Sequence, residues 1–441
     1  MSNQFQLMNE QRFRPFFFTQ FLGAFNDNVF KTTLVTLVAF HAASLTTLDG
    51  STMATLLPGL FMLPYFLFSA TAGQLADKYE RSKIIRLVKL FEIGIMTFAS
   101  LGFFLHNIWL LAAALFMMGM HSTLFGPVKF AYLPQHLNQH ELMGGNGMVE
   151  MGSFVAILLG QILGAWLAMQ THHEVLSSMT VLGIAVLGYF TSRGIPHSPA
   201  PAHALKINWN PMTETFNNLK FSWGHQDLWL AIIAISWFWF FGATLVSQFP
   251  NLAKLVLHGD ESVFILLLAM FSIGVGIGSL LCEKLSKGGT GLGLVVFGAI
   301  GLTLFGADMY WSATVIHASM NDAVVYDFVG FVKENLYHSR LLADVALLGL
   351  FGGFYIVPLY TLIQTRCEKS HQSRVIAGNN IMNALFMVVS AALSVLFLGH
   401  GHSIPQLFLA IALLNIVIMI YLCFRQPEYI KSFLVWIKPA R

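Results

Sequence analysis

The chain is a succession of apolar runs, each about as long as the ~20-residue helix that crosses a bilayer, separated by short polar stretches. Inside a bilayer every backbone polar group must be satisfied within its own segment, so the pattern predicts an all-α polytopic membrane protein. Hydropathy places twelve spans, at about 16–40, 52–75, 84–105, 109–132, 147–169, 175–193, 226–250, 261–282, 291–311, 340–363, 377–399 and 404–424. The polar stretch Met1–Arg14 and the long first span argue against a cleaved signal peptide.

The pattern is broken most sharply inside the first run, where Asn26, Asp27, Asn28 and Lys31 follow Gly23. A charge at mid-membrane costs about 2.5–3.5 kcal/mol on insertion scales. Asp27 and Lys31 are four residues apart and share a helix face with Gly23, so that face must look into protein or a watery cavity. A bare ion pair locking two helices together is the structural alternative; the number of polar groups favours a cavity.

Weaker breaks follow. Lys129 stands beside helix-breaking Gly126 and Pro127, where it either meets a phosphate or snorkels to the inner interface. Glu150 lies on one stripe with Asn146 and Ser153, and Asn379 and Asn383 form the matching stripe of the eleventh span. The first stripe faces a seam between halves, or Glu150 is simply an acid favoured at a helix N-terminus; the second lines a lateral opening or makes ordinary interhelical amide hydrogen bonds. Glu92 and Asp344 are further intramembrane acids, open to a coupling ion or to structural pairing. The run Trp237-Phe238-Trp239-Phe240-Phe241 is expected to face lipid, with an acyl-chain groove as the alternative. His317 and Asp322 have the His-x4-Asp spacing of glycerolipid acyltransferases, but their short loop offers no room for an acyl-binding domain.

Composition agrees with this picture. Of 441 residues, 56% are hydrophobic and 10% charged, against about 25% charged in soluble domains. The net charge of +3 carries no implication for nucleic acid, and no nucleic-acid partner is expected. Cys282, Cys367 and Cys423 have no metal-ligand spacing, and no disulfide framework, metal or cofactor is expected. No phosphate-binding Walker loop is present, so ATP does not drive the chain directly.

Charge distribution sets the orientation. With both termini inside, nineteen basic residues, Lys89 among them, fall to the cytoplasm and only Lys254, Lys333 and Arg340 outside. The longest cytoplasmic connection divides the chain into residues 1–193, a linker at 194–225 and residues 226–441. Pro196, Pro199, Pro201 and Pro211 make the linker's first part extended. Asn210-Pro211 then reads as the cap and first turn of a short amphipathic helix on the inner membrane surface. The halves echo each other: Gly126-Pro127 with Gly145-Asn146 in the first, Val357-Pro358 with Gly378-Asn379 in the second, at nearly equal offset. Two six-span repeats are the plan of one large transporter fold.

The loop Gly73-Gln74-Leu75-Ala76-Asp77-Lys78-Tyr79-Glu80-Arg81-Ser82-Lys83 resembles the signature loop of the major facilitator superfamily, with Glu80 where a second glycine is usual. Its conformational residues here are Gly73, Asp77 and Arg81. Phe25-Asn26-Asp27-Asn28-Val29-Phe30-Lys31, Phe125-Gly126-Pro127-Val128-Lys129-Phe130 and Ser373-Arg374-Val375-Ile376-Ala377-Gly378-Asn379-Asn380 resemble the bacterial lysophospholipid transporters of that superfamily. The tail from Gln426 is similar to the join in forms fused to an acyltransferase and acyl-ACP synthetase. The resemblance implies twelve helices in two pseudo-symmetric six-helix bundles and a monomer in the bacterial inner membrane. It implies a transporter rather than an enzyme, one that moves lysophospholipids, notably lysophosphatidylethanolamine, to the cytoplasmic leaflet for re-acylation by a separate acyltransferase. Entry from the surrounding lipids would be lateral, with alternating access, and Asn26, Asp27, Asn28, Lys31, Lys129, Glu150, Asn379 and Asn383 would serve transport. An exporter of an amphiphilic drug or a siderophore is the alternative.

Overall fold

A computed structural model describes residues 4–45, 50–286, 291–319, 325–334 and 336–438; Asp322 lies outside them. Among the described residues the fold is all helical, with one isolated bridge between Gly259 and Tyr326. The first half comprises α1 (Arg14–Leu45), α2 (Gly50–Lys78), α3 (Arg81–Phe104), α4 (Ile108–His136), α5 (Leu142–Ala168) and α6 (His173–Arg193). A short α7 (Pro211–Trp223) precedes α8 (Gln226–Asn251), α9 (Glu261–Leu285) and α10 (Leu292–Ser319). Then come α11 (Phe328–Glu334), α12 (Leu336–Arg366), α13 (Gln372–Gly399), α14 (Ile404–Arg425) and α15 (Glu428–Trp436). Eleven of these helices are long and apolar enough to cross a membrane. The twelfth expected span, α1, is 32 residues long but falls outside that group because it carries the polar cluster.

Within the first half α1 packs on α5 and α6, α2 on α4, and α3 on α4 and α6; within the second, α9 and α10 pack on α12, α8 on α13, and α10 on α14. Close approach depends on missing side chains. A methyl at Gly274 or Gly278 of α9 would lie 2.1 Å from Ala346 O or 2.0 Å from Leu350 O of α12. The halves meet along α5–α9 and α2–α13, and α7 lies against α2 and α13. Asn210 caps α7, accepting from the amides of Met212 (3.1 Å) and Thr213 (3.2 Å). Glu214, Asn218 and Ser222 turn inward, leaving Met212, Phe216 and Trp223 exposed on the opposite face. That apolar face suits a helix at the membrane surface.

The second half has one continuous core running through α8, α9, α10, α12 and α14. The core of the first half is split. One cluster, with Phe13, Phe16, Val88 and Tyr132, lies toward the end where α1 begins; another, with Val29, Phe30, Met96 and Leu115, lies toward the far end. Between them runs a layer of buried polar groups. Lys89 belongs to that layer. It is fully buried in an ion pair with Glu92, so its assignment to the cytoplasmic loop is corrected: the pair neutralises it within the span. The bias in basic residues is otherwise unaffected. The aromatic run is corrected too: Trp237, Phe238, Phe240 and Phe241 are buried, because α8 is covered by α12, α13 and α14 instead of lipid.

At the end where α1 begins, here the basic end, the halves are clamped. Asp77 is fully buried and accepts from the backbone amides of Ser373 (3.1 Å) and Arg374 (3.3 Å) in the first turn of α13. A carboxylate at a helix N-terminus is favoured by the unsatisfied amides and the dipole. Arg374 Nε adds a bond at 3.2 Å. Arg81, also fully buried, reaches Asp77 at 3.3 Å, Ser373 Oγ at 3.0 Å and Ala131 O at 2.8 Å. A methyl at Gly73 would lie 2.8 Å from Ala377 Cβ and 2.9 Å from Arg374 Cα, so glycine permits the contact. Deeper in the same seam, Asn146 and Gln364 exchange amide bonds of 2.6 and 3.0 Å across the halves.

Hydrogen bonds to a charged group contribute about 1.5–3 kcal/mol each. Asp77→Asn is therefore expected to open the basic end. With Cys282, Cys367 and Cys423 replaced by alanine, a cysteine substituted for the fully buried Ala377 should react with a maleimide at least about tenfold faster when Asp77→Asn is added. Equal labelling rates would contradict the clamp.

Candidate functional site

The polar layer opens into a cavity of about 240 Å³ between the halves. From the first half, α1 supplies Gln20 and Asp27, α4 supplies His121, Ser122 and Lys129, and α5 supplies Glu150 and Ser153. From the second half come Trp239, Tyr360, Asn380, Asn383 and Met387. Every formally charged side chain on the wall thus belongs to the first half; the second offers aromatic rings and neutral amides. Toward the basic end Phe130 and Tyr360 stack across the halves, with centroids 4.1 Å apart and planes 7° from parallel.

Asp27 accepts from Ser122 Oγ at 2.5 Å and lies 3.9 Å from Nδ1 of His121. Lys129 donates to Ser153 Oγ at 2.8 Å, and Ser153 in turn donates to Gln20 Oε1 at 3.1 Å. The Lys129 ammonium stays on the cavity wall, close to the buried carboxylate of Glu150, instead of reaching for an interface. The wall therefore carries one cation and two acids. Asn383 lines the cavity and its Oδ1 accepts from Ser236 Oγ at 2.9 Å.

Four expected site residues are not on the wall. Asn26 is fully buried and donates to Glu92 Oε1 at 2.7 Å. Asn28 donates at 2.8 Å to Ala24 O in its own helix, where α5 approaches. Lys31 points away, 5.5 Å from the ring centroid of Phe61, and makes no ion pair with Asp27 within 4.0 Å. Asn379 is fully buried, and neither amide atom has a hydrogen-bond partner among the described residues. One polar stretch of α1 thus splits three ways, because consecutive helical residues point about 100° apart.

Behind the wall lies a second set of charges. Lys89 Nζ is 2.5 Å from Glu92 Oε2, both side chains are fully buried, and Nε2 of His121 lies 3.3 Å from the same oxygen. His121 and Ser122 passed unnoticed in the sequence because neither is formally charged. Lys89 and Glu92, three apart within one span, carried the signal that was read from Asp27 and Lys31. At the opposite end of the bundle, Asp344 is buried and accepts from Ser312 Oγ at 3.1 Å, away from the cavity. His317 bonds Val256 O at 3.3 Å, which suits a structural role.

Two helical halves clamped at one end around a charged cavity define a multi-pass membrane transporter. The chain belongs to the Major Facilitator Superfamily, whose family model matches residues 16–332. It is similar to the lysophospholipid transporter LplT of Enterobacter sp. (strain 638), with 26% identity over 372 residues, covering 82% of this chain and 81% of the relative. The transporter of the same name from Escherichia coli O157:H7 (strain EC4115 / EHEC) is 26% identical over 369 residues, with the same coverage. Among solved structures, the human organic anion transporter MFSD10 superposes with a TM-score of 0.71 at 14% identity, over 93% of this chain and 99% of that one. A bacterial homologue of the iron transporter ferroportin in an outward-facing state gives 0.63 at 15% identity, over 92% and 99%. These two likenesses concern the fold.

The buried pair behind the wall generates a stability prediction. Breaking it leaves an uncompensated charge, at a cost of about 3–5 kcal/mol. Glu92→Gln should therefore lower the thermal unfolding temperature of the solubilised protein markedly, and adding Lys89→Met should restore most of the loss. Lys31→Met, which breaks no ion pair, should change stability by less than about 1 kcal/mol. Wild-type stability in Glu92→Gln would contradict the assignment.

Proposed function

We propose that the protein transports lysophospholipids, lysophosphatidylethanolamine foremost, from the outer to the cytoplasmic leaflet of a bacterial inner membrane, where a separate acyltransferase restores the missing chain. The single observation that carries this reading is the cavity wall, which holds the cation Lys129 together with the acids Asp27 and Glu150. A phosphoethanolamine head has the complementary charges. Its phosphate meets the Lys129 ammonium through charge-assisted hydrogen bonds, and its ammonium meets Asp27 or Glu150. Phe154, Ile157, Trp239 and Met387 give the same cavity an apolar side for the start of an acyl chain. The names of the curated relatives point the same way.

The clamp supports alternating access. With Asp77 and Arg81 locked on α13, the cavity is sealed toward the basic end, which the excess of lysine and arginine makes cytoplasmic, with both termini on that side. Toward the other end α13 exposes Leu385, Val388, Val389, Leu393 and Leu396. This apolar row supports lateral entry of a lipid whose acyl chain never leaves the bilayer. Release requires the Asp77 bonds and the Phe130–Tyr360 stack to part. Residues 1–193 and 226–441 would rock against each other, joined by the linker at 194–225, in a monomer. The protein's role is carriage, with the covalent chemistry left to its partner.

The test is uptake of labelled lysophosphatidylethanolamine into vesicles containing the protein, beside a panel of soluble amphiphilic drugs and siderophores. Lipid uptake well above empty vesicles is expected, with little for the panel. Lys129→Met and Asp27→Asn should each lower it by about tenfold or more, the loss of one charged hydrogen bond. Preferential movement of a soluble amphiphile would favour the export alternative and overturn the lipid reading.

A further inference from the structure

The proposed transport leaves one buried titratable group without a task. His121 is 2% exposed, on α4, and its ring stands between two carboxylates. Nε2 is 3.3 Å from Glu92 and Nδ1 is 3.9 Å from Asp27. Neither ring nitrogen, nor Asp27 Oδ1, has a hydrogen-bond partner among the described residues. The two acids differ. Glu92 already has Lys89 at 2.5 Å and Asn26 at 2.7 Å. Among the described residues Asp27 has one hydrogen-bond donor, the neutral hydroxyl of Ser122, and Lys31, one turn further along α1, lies over Phe61 with no ion pair to it within 4.0 Å.

The surrounding groups leave the same imbalance. From α2 comes the neutral phenol of Tyr65, from α3 the closed pair Lys89–Glu92, and from α12 the neutral Tyr360. On α4 Lys129 lies two turns along the cavity, with Glu150 of α5 near it. A protonated imidazole beside it would balance the Asp27 carboxylate in the empty cavity.

We infer that His121 is a proton site linked to Asp27, and that a substrate cation binding at Asp27 displaces this proton. The inference rests on the proposed phosphoethanolamine head. When the ammonium arrives, two cations would share one carboxylate; the imidazolium gives up its proton to solvent and becomes neutral imidazole, so the charge beside Asp27 is conserved while the phosphate brings its own charge to Lys129. Lys89, Glu92 and Asn26 hold the far side of the ring and keep it aimed at Asp27. Substrate binding is then an exchange of one cation for another. Affinity for the zwitterionic lipid rises with pH while His121 is protonated in the empty site, by up to about tenfold per unit.

The experiment is titration calorimetry of the solubilised full-length protein with lysophosphatidylethanolamine at one pH, in phosphate and in Tris, whose ionisation enthalpies differ widely. Binding enthalpies that differ between the buffers, in the sense of proton release, are expected for the wild type. No difference is expected for His121→Asn, nor for lysophosphatidylglycerol, which lacks the ammonium. Identical wild-type enthalpies in the two buffers would overturn the inference while leaving lipid binding intact. Proton release that persists in His121→Asn would overturn it as well, placing the proton on Asp27. Absence of any lipid binding, checked with radiolabelled lipid, would overturn the transport reading and this inference together.

Discussion

The first half of the molecule is built around the cost of holding charge away from water. Several kcal/mol per ion must be recovered by pairing and hydrogen bonding. Lys89, Glu92, Asn26 and His121 do this among themselves, fully or almost fully buried. They divide the apolar core into an upper and a lower cluster and fix α1, α3 and α4 relative to one another. Once that layer is set, Asp27 and Lys129 have no equivalent partners inside the bundle, so the cavity between the halves is where their charges can be met.

The second half answers with a different kind of surface. Its core is continuous, and its contribution to the cavity is aromatic and amide. This asymmetry lies over a pseudo-symmetric plan, with charged side chains on one half and neutral or apolar ones on the other. The clamp of Asp77 and Arg81 on α13 then decides which end of the cavity is closed. Its bonds are few and charge-assisted.

Much of this was legible in the sequence because bilayers penalise exceptions. Asp27, Lys129 and Glu150 interrupt apolar runs, and each lies on the cavity wall. The signature loop announced Gly73, Asp77 and Arg81 through the family resemblance, and Asn210-Pro211 marked the start of α7 correctly. What escaped did so for physical reasons. Asn26, Asn28 and Lys31 violate the apolar pattern as plainly as Asp27, but helical rotation sends Asn26 into α3 and Asn28 toward α5, while Lys31, one turn beyond Asp27, lies over Phe61, and a sequence carries no azimuth. Lys89 sits about two turns inside α3, within reach of the helix end, so hydropathy alone could not tell a snorkelling lysine from a buried one. The aromatic run of α8 was misjudged because lipid and protein interior are equally apolar.

The central claim is that the cavity holds a zwitterionic lipid head with its phosphate on Lys129. The most direct measurement is the distance between the lipid phosphorus and the Lys129 ammonium, by phosphorus–nitrogen dipolar recoupling in protein labelled with nitrogen-15 at lysine side chains and reconstituted with lysophosphatidylethanolamine. The Lys129 signal is identified by its loss in Lys129→Met. The account predicts a coupling that corresponds to about 4 Å, the separation set by one charge-assisted N–H···O–P bond. A bound lipid that shows no coupling to Lys129 would contradict it.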